Sequence, residues 1–360
     1  MAHNSSENLP LLNPSARLAL YMEDAVMGPY GKMGFGVLRY SPNPIVCVID
    51  SKVVGQNIVE LTGIPRPCPI VGSVQEAIAL GAEVLVLGIA PSGGLIPDAW
   101  WPDLDLAAES GLSLVNGLHD LIVPRYPNLA PSPTEGTQFA WDIRVEPPGL
   151  TNGTGAAAAL DCKRVLLIGS DMAIGKMTAG LELMRSARES GVKTGFLATG
   201  QIGITITGSG IPLDAIRVDF ASGAVEREVL RHAQEGAELV IVEGQGSLIH
   251  PSSTANLPLI RGSCPTHFIF CHRAGQTHLK SLPNVEIPPI GKIIELYAQV
   301  ASACGTFATP TTCSIALNTA HLSPEEADEA CKNCESELGI PCVDPIRHGP
   351  ARLLTSLQGS

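Results

Sequence analysis

Short uninterrupted apolar runs, separated by polar and glycine-containing stretches, recur along this chain. Ile45 to Ile49 is such a run in the first half, and Arg17 to Met22, Glu83 to Ile89 and Leu112 to Val115 read as further strands. Continuous apolar runs of this length suit strands buried on both faces of a parallel sheet. Between them, Ser73 to Gly81 and Pro97 to Gly111 read as helices, the second closed by glycine. The alternation restarts at Arg164. Strands are predicted at Arg164 to Ile168, Thr194 to Ala198, Glu238 to Val242, Thr266 to Cys271 and Ser314 to Leu317. Helices are predicted over Gly175 to Gly191, Ser222 to Gly236 and Pro289 to Ala303. A further helix opens at Ser323, with Pro324 at its first position and Glu326 completing a capping box. Strand–helix alternation in both halves predicts an α/β fold with two doubly wound parallel sheets.

The pattern dissolves between about Pro124 and Ala159, where Pro127, Pro131, Pro133, Pro147 and Pro148 punctuate it. The organisation expected is a flexible arm over 1–14, a Rossmann-like domain over 15–150, a linker over 151–160 and a second domain over 161–360. Composition agrees with two folded cores. The chain has 360 residues, 45% of them hydrophobic and only 16% charged. Such a chain is not disordered and exceeds the size of one typical core. Its formal charge is −12, with no basic cluster, which argues against nucleic-acid binding. No apolar run approaches the roughly 20 residues needed to span a bilayer. The ten cysteines are scattered and no secretion signal precedes them, so a soluble, reduced, cytoplasmic protein is expected. Cys331 and Cys334 form a CxxC without a second pair, so no metal site is assigned.

The sharpest motif runs from Gly169 through Ser170, Asp171, Met172, Ala173 and Ile174 to Gly175, Lys176, Met177 and Thr178. It lies between a predicted strand and a predicted helix, as a phosphate-binding loop requires. Backbone N–H groups near the glycines and the helix start would face an anion, and Lys176 would add a full positive charge. The loop departs from a standard Walker A in spacing and at Met177. There the standard loop carries a Mg²⁺-binding hydroxyl. Thr178 is one place late, about 100° further round a helix. Anion binding is therefore better supported than nucleotide hydrolysis.

Glu243 ends a hydrophobic strand and is followed by Gly244, Gln245 and Gly246. A strand-end acid beside glycines reads as a metal ligand, general base or cap. His250 follows in a polar loop. Asn318 follows the last predicted strand, where a purine edge is often read. His272, Arg273, Gln276 and His278 place donors at the sheet's carboxyl edge, and Arg273 is suited to clamp a carboxylate. Gly200 to Gly210, with Gln201 near its start, reads as a glycine- and threonine-rich loop. Asp219 reads as a further strand-end acid. In the first half, Gly28 to Gly36 reads as a glycine-rich loop, but its glycine order is not that of a dinucleotide fingerprint. Asp50 occupies the place of a ribose-binding acid. Gly88 to Gly94 and Asn116 to Asp120 read as strand-end loops that face a cleft.

Together these segments resemble one family, with a Rossmann-like N-terminal half and a P-loop C-terminal half, long catalogued as of unknown function. Gly169 to Thr178, Thr199 to Gly203 and Val242 to Leu248 carry the resemblance. His250, Pro251 and Tyr30 to Met33 add to it. It covers roughly residues 15 to 350. The P-loop half is also similar to dethiobiotin synthetase. A characterised branch of the family is D-glutamate N-acetyltransferase. The resemblance implies an N-acetyltransferase that moves an acetyl group from acetyl-CoA to the amine of an amino acid. In that reading the loop from Gly169 to Thr178 and Asn318 hold the cofactor. Glu243 or His250 is the base and Lys176 assists. Gln201, Gly244, Gln245 and Arg273 contact a small-molecule substrate. The rivals are an ATP- and Mg²⁺-dependent ligase and a nucleotide-binding regulator without turnover. A symmetric homo-oligomer is the base expectation for such enzymes.

Overall fold

Two parallel sheets account for the apolar runs. The computed structural model describes residues 12–91 and 93–359, so the arm expected at 1–14 falls mostly outside them. Its strands are β1 (Leu18–Tyr21), β2 (Ile45–Ile49), β3 (Ile70–Val71), β4 (Val84–Leu87), β5 (Ser113–Asn116), β6 (Ala140–Asp142), β7 (Lys163–Gly169), β8 (Thr194–Leu197), β9 (Leu239–Val242), β10 (His267–Arg273), β11 (His278–Leu279), β12 (Leu282–Glu286), β13 (Thr311–Asn318) and β14 (Cys342–Val343). The chain divides into two units. The N-terminal unit runs to Pro147 and takes back Gly200–Ala215; the C-terminal unit holds Pro148–Thr199 and the chain from Ile216 onward.

The N-terminal unit carries the strand order β3-β2-β1-β4-β5-β6, all parallel. This is the doubly wound Rossmann order. Every residue of β1, β4 and β5 is buried, which is why these strands read as unbroken apolar runs. β6 lies inside the proline-rich stretch that the sequence reading leaves without structure. Its Asp142 accepts from the Asn116 side chain and from the Ile122 and Val123 N–H groups, so polar anchoring replaces a long apolar signal.

Two glycine-rich segments read as loops are helices. Lys32–Tyr40 is helical although Gly34 and Gly36 lie within it. Gly34 is there because a Cβ would sit 2.2 Å from Met22 Sδ, and its N–H donates to Gly88 O at 2.7 Å. Gln201–Thr207 is also helical and packs against Lys32–Tyr40 in the N-terminal unit. Asp219 is not a strand-end acid; it lies exposed in the first turn of the helix Val218–Gln234.

The C-terminal unit carries the order β14-β13-β10-β7-β9-β8, again all parallel. β7 lies between β9 and β10, where the order of crossovers reverses. Ligands in open α/β sheets bind outside the carboxyl ends of the strands at such a point. Residues 151–160, expected as a linker, are tied to this unit. Glu226 accepts from Thr154 N and Oγ1 and from Ala156 N at 2.6–2.9 Å. Among the described residues no helix is long and apolar enough to cross a membrane. Nor does any group of three His, Cys, Asp or Glu residues there suit a metal ion.

Gly223 sets this attachment, because a Cβ on it would lie 1.8 Å from Thr151 O. Gly223→Ala is expected to cost about 1–3 kcal/mol by overpacking, read as a lower urea midpoint with an unchanged m-value.

Candidate functional site

The loop from Gly169 to Thr178 follows β7 and leads into the helix Lys176–Glu189. Gly175 caps that helix at φ 113°, and Ala173 lies at φ 54°. Both positions are left-handed, so the backbone turns sharply and presents successive amides. Among the described residues the N–H groups of Ala173, Ile174 and Gly175 have no protein acceptor. The buried Lys176 bends back, and its Nζ donates to Asp171 O at 2.7 Å. Met177 and Thr178 are half-buried. A Mg²⁺-binding hydroxyl is missing from the position directly after the lysine.

The side chains of this loop are committed to the fold. Asp171 accepts from Met172 N, from Gln276 Nε2 and from Lys280 N, at 2.6, 2.6 and 2.8 Å. It thereby ties the loop to the β11–β12 hairpin. Ser170 Oγ lies 2.7 Å from His272 Nδ1. Asn318, the last residue of β13, donates to Ile174 O at 3.2 Å and accepts from Ala320 N at 3.1 Å. What the loop offers a ligand is therefore its backbone and Lys176.

The second part of the site is the turn after β9. Glu243 is buried; its Oε2 accepts from Thr199 N at 2.8 Å, and its carbonyl accepts from Thr199 Oγ1 at 2.8 Å. Gln245 Nε2 also donates to Thr199 Oγ1, at 3.2 Å. Gly244 has no room for a side chain. A Cβ there would lie 1.6 Å from Leu167 O and 3.0 Å from Lys176 Cδ, so this turn abuts the phosphate-loop lysine. Among the described residues the N–H groups of Gly244, Gln245 and Gly246 have no protein acceptor. They form a second anion-receptive edge.

His250 is buried, with Nδ1 accepting from Ser252 N at 3.1 Å and Nε2 3.0 Å from Ser281 Oγ. The backbone donor fixes the neutral proton on Nε2, so the ring donates to Ser281 and has no open lone pair. Its Nε2 is 3.9 Å from Asp171 Oδ1. Tyr297 braces the turn from beneath, accepting from Leu248 N and donating to Asn256 Oδ1, each at 2.9 Å. Burial pushes the Tyr297 phenol up to about 12 and the Cys271 thiol up to about 12. The Arg273 guanidinium is half-buried and has no protein partner among the described residues.

The structure thus gathers Gly169 to Thr178, Glu243 to Gln245, His250, Arg273 and Asn318 at the carboxyl edge of one sheet. Gln201 belongs to the other unit. Tyr297 and Ser281 escaped the sequence reading. One is an aromatic on an amphipathic helix and the other a lone loop serine, and neither carries a local signal.

The fold and site define an α/β protein with a Rossmann-like unit and a P-loop unit. Residues 51–146 match a family described as a domain of unknown function (DUF1611_N), Rossmann-like domain. Residues 151–354 match the domain of unknown function (DUF1611_C), P-loop domain. The chain belongs to the DUF1611 family. A DUF1611 family protein from Anabaena variabilis has a crystal structure that superposes with a TM-score of 0.90 at 47% identity, covering 96% of this chain and 100% of that one. Two relatives bear the name D-glutamate N-acetyltransferase. One, from Pseudoalteromonas sp, is 37% identical over 79% of this chain and 84% of its own length. The other, from Tritonibacter scottomollicae, is 33% identical over 94% of this chain and 97% of its own length.

His272 gives the site a pH signature. Burial lowers its imidazole from the ordinary 6.5 to about 4, with Asp171 opposing more weakly. The folded state then resists a proton that the unfolded chain accepts. This contribution is complete above pH 6.5 and fades as pH falls toward 4. It amounts to about 3 kcal/mol. His272→Asn should remove it, so the wild type loses more denaturation midpoint than the variant between pH 7 and pH 4.5.

Proposed function

We propose that this protein is an N-acetyltransferase that moves the acetyl group of acetyl-CoA to the amine of an amino acid, D-glutamate being the first candidate. The observation that carries this reading is the pairing of two open amide edges around Lys176, one after β7 and one after β9, with the buried Glu243 at the root of the second. The names of the two relatives point the same way.

In this reading the pyrophosphate of acetyl-CoA lies against the amides of Ala173 to Gly175 and Lys176, a binding mode that needs no hydroxyl after the lysine. The substrate amine attacks the thioester carbonyl carbon. Glu243 takes the amine proton as the N–C bond forms. The developing oxyanion receives hydrogen bonds from the amides of Gly244 to Gly246. The C–S bond then breaks, and the coenzyme A thiolate leaves and takes up the proton. His250 acts by position, because Ser252 and Ser281 hold both its ring nitrogens.

Two measurements test this. A ligand at 100 times its Kd stabilises a protein by about 2.7 kcal/mol. Acetyl-CoA and CoA should therefore raise the melting temperature without Mg²⁺, and Lys176→Ala should abolish the rise. A rise with Mg-ATP alone would sink the proposal in favour of a ligase. Separately, Glu243→Gln should lower kcat for acetylation of D-glutamate by roughly 10²–10⁴ while leaving acetyl-CoA binding intact. Full activity in that variant would remove Glu243 as the base.

A further inference from the structure

The N-terminal unit contains a pocket of about 200 Å³ at the carboxyl ends of β4 and β5. Its lining includes Gly94, Gly117, His119, Arg144 and Gln201. The pocket is polar where a core void would be apolar. It is also smaller than the roughly 300–1,000 Å³ of typical drug-sized ligand pockets, which suits a small metabolite better than a nucleotide.

Arg144 is the feature without a structural explanation. It lies just beyond β6, with its side chain 13% exposed. Its Nη1 meets His119 Nε2 and lies 3.2 Å from Asp214 Oδ2, a residue itself half exposed. Among the described residues its buried Nε has no hydrogen-bond partner. Among the described residues Nη2 has none either. The Nε–Nη2 edge of a guanidinium is a fork that matches the two oxygens of a carboxylate. Leaving a buried donor unmade is costly, so an orphan of this kind calls for an explanation. The surroundings supply further donors. Neither the Gln201 carboxamide nor the Gly117 N–H has a protein partner among the described residues. Gly94 lies at φ 66°, and a Cβ there would lie 2.2 Å from His119 Cδ2. The loop is therefore closed onto the histidine that steadies Arg144.

We propose that this pocket binds the carboxylate of a small free amino acid or dicarboxylate, with Arg144 as the clamp and the Gln201 side chain and Gly117 N–H as further donors. The pocket lies within the N-terminal unit, and its chemistry alone selects the ligand class. The proposal places Gln201, which the resemblance assigns to substrate contact, in the lining of this pocket.

The test is calorimetric titration of the full chain with D-glutamate, glutarate and inorganic phosphate. It is run on wild type, Arg144→Gln, Arg144→Lys and Gln201→Ala, with melting temperatures confirming that each variant folds. The expected result is a Kd for D-glutamate raised roughly ten- to a hundredfold in both Arg144 variants, the loss of a charge-assisted hydrogen bond, with acetyl-CoA binding unchanged. Arg144→Lys keeps the charge and loses the fork, so a weak Arg144→Lys protein supports bidentate capture. If Arg144→Gln does not fold, a severalfold weaker Kd in Gln201→Ala carries the same conclusion. Unchanged D-glutamate affinity in folded Arg144 variants overturns the proposal. So does phosphate binding as tightly as the carboxylates. If glutarate and D-glutamate bind through Arg144 but wild type makes no acetylated product, the pocket stands and the acetyl-transfer reading falls.

Discussion

The constraint on which the C-terminal site depends is the burial of a carboxylate inside a loop built to attract anions. Asp171 is 1% exposed, and a buried charge is tolerated only when its lone pairs are filled. Met172 N, Gln276 Nε2 and Lys280 N fill them. Each of those bonds fixes something else. The first holds the loop's own turn, and the other two pin the residues before β11 and the turn between β11 and β12. The Asp171 carbonyl in turn receives Lys176 Nζ. One residue therefore sets the position of the lysine and of the segment that carries Ser281, the partner of His250.

That arrangement explains why the amides matter more than the side chains here. Two buried carboxylates, Asp171 and Glu243, lie in the same part of the unit as the buried Lys176. A polyphosphate brought beside them meets like charge as well as Lys176, so uncompensated N–H groups must supply much of the attraction. They lie in two places, after β7 and after β9, and Gly244 fits between Leu167 O and Lys176 only because it lacks a side chain. Burial keeps His272 neutral at pH 7, so it adds a hydrogen bond to Ser170 and no charge. Met177 stands where a standard phosphate loop carries its hydroxyl.

Much of this was legible in the sequence, for a physical reason. Strands buried on both faces are rich in apolar residues, and β1, β2, β4, β5, β7, β9, β10 and β13 were read from such stretches. The phosphate loop and the acid after β9 were legible because glycine, lysine and a strand end occur together locally. What stayed hidden is held by tertiary contacts. β3 and β14 have two residues each, too few for a pattern. Helix Lys32–Tyr40 is disguised by its glycines, of which Gly34 serves packing against Met22. Helix Gln201–Thr207, made of glycine and β-branched residues, is stabilised by its partner helix more than by propensity. Arg144 sits among prolines, where nothing local marks it as a ligand group. Its meaning appears only once His119 and Asp214 are seen beside it.

The two units share a parallel-sheet plan but use the loop after the first strand in opposite ways. In the Rossmann-like unit, the acid expected to hold a ribose turns inward. Asp50 accepts from the N–H groups of Asp24, Ala25 and Val26 at 3.0–3.3 Å, and from Lys52 N at 3.1 Å. These amides belong to the turn after β1, where a dinucleotide-binding fold would receive a pyrophosphate. A carboxylate of the chain itself already occupies them. Displacing it would leave a buried charge without partners, a penalty that a dinucleotide's own contacts would have to exceed. The equivalent turn after β7 keeps the amides of Ala173 to Gly175 open, because Asp171 is satisfied by Met172 N and by two donors from outside the loop. The sequence difference between a filled and an open anion site is thus the placement of one aspartate, at the end of the neighbouring strand in one unit and inside the loop in the other.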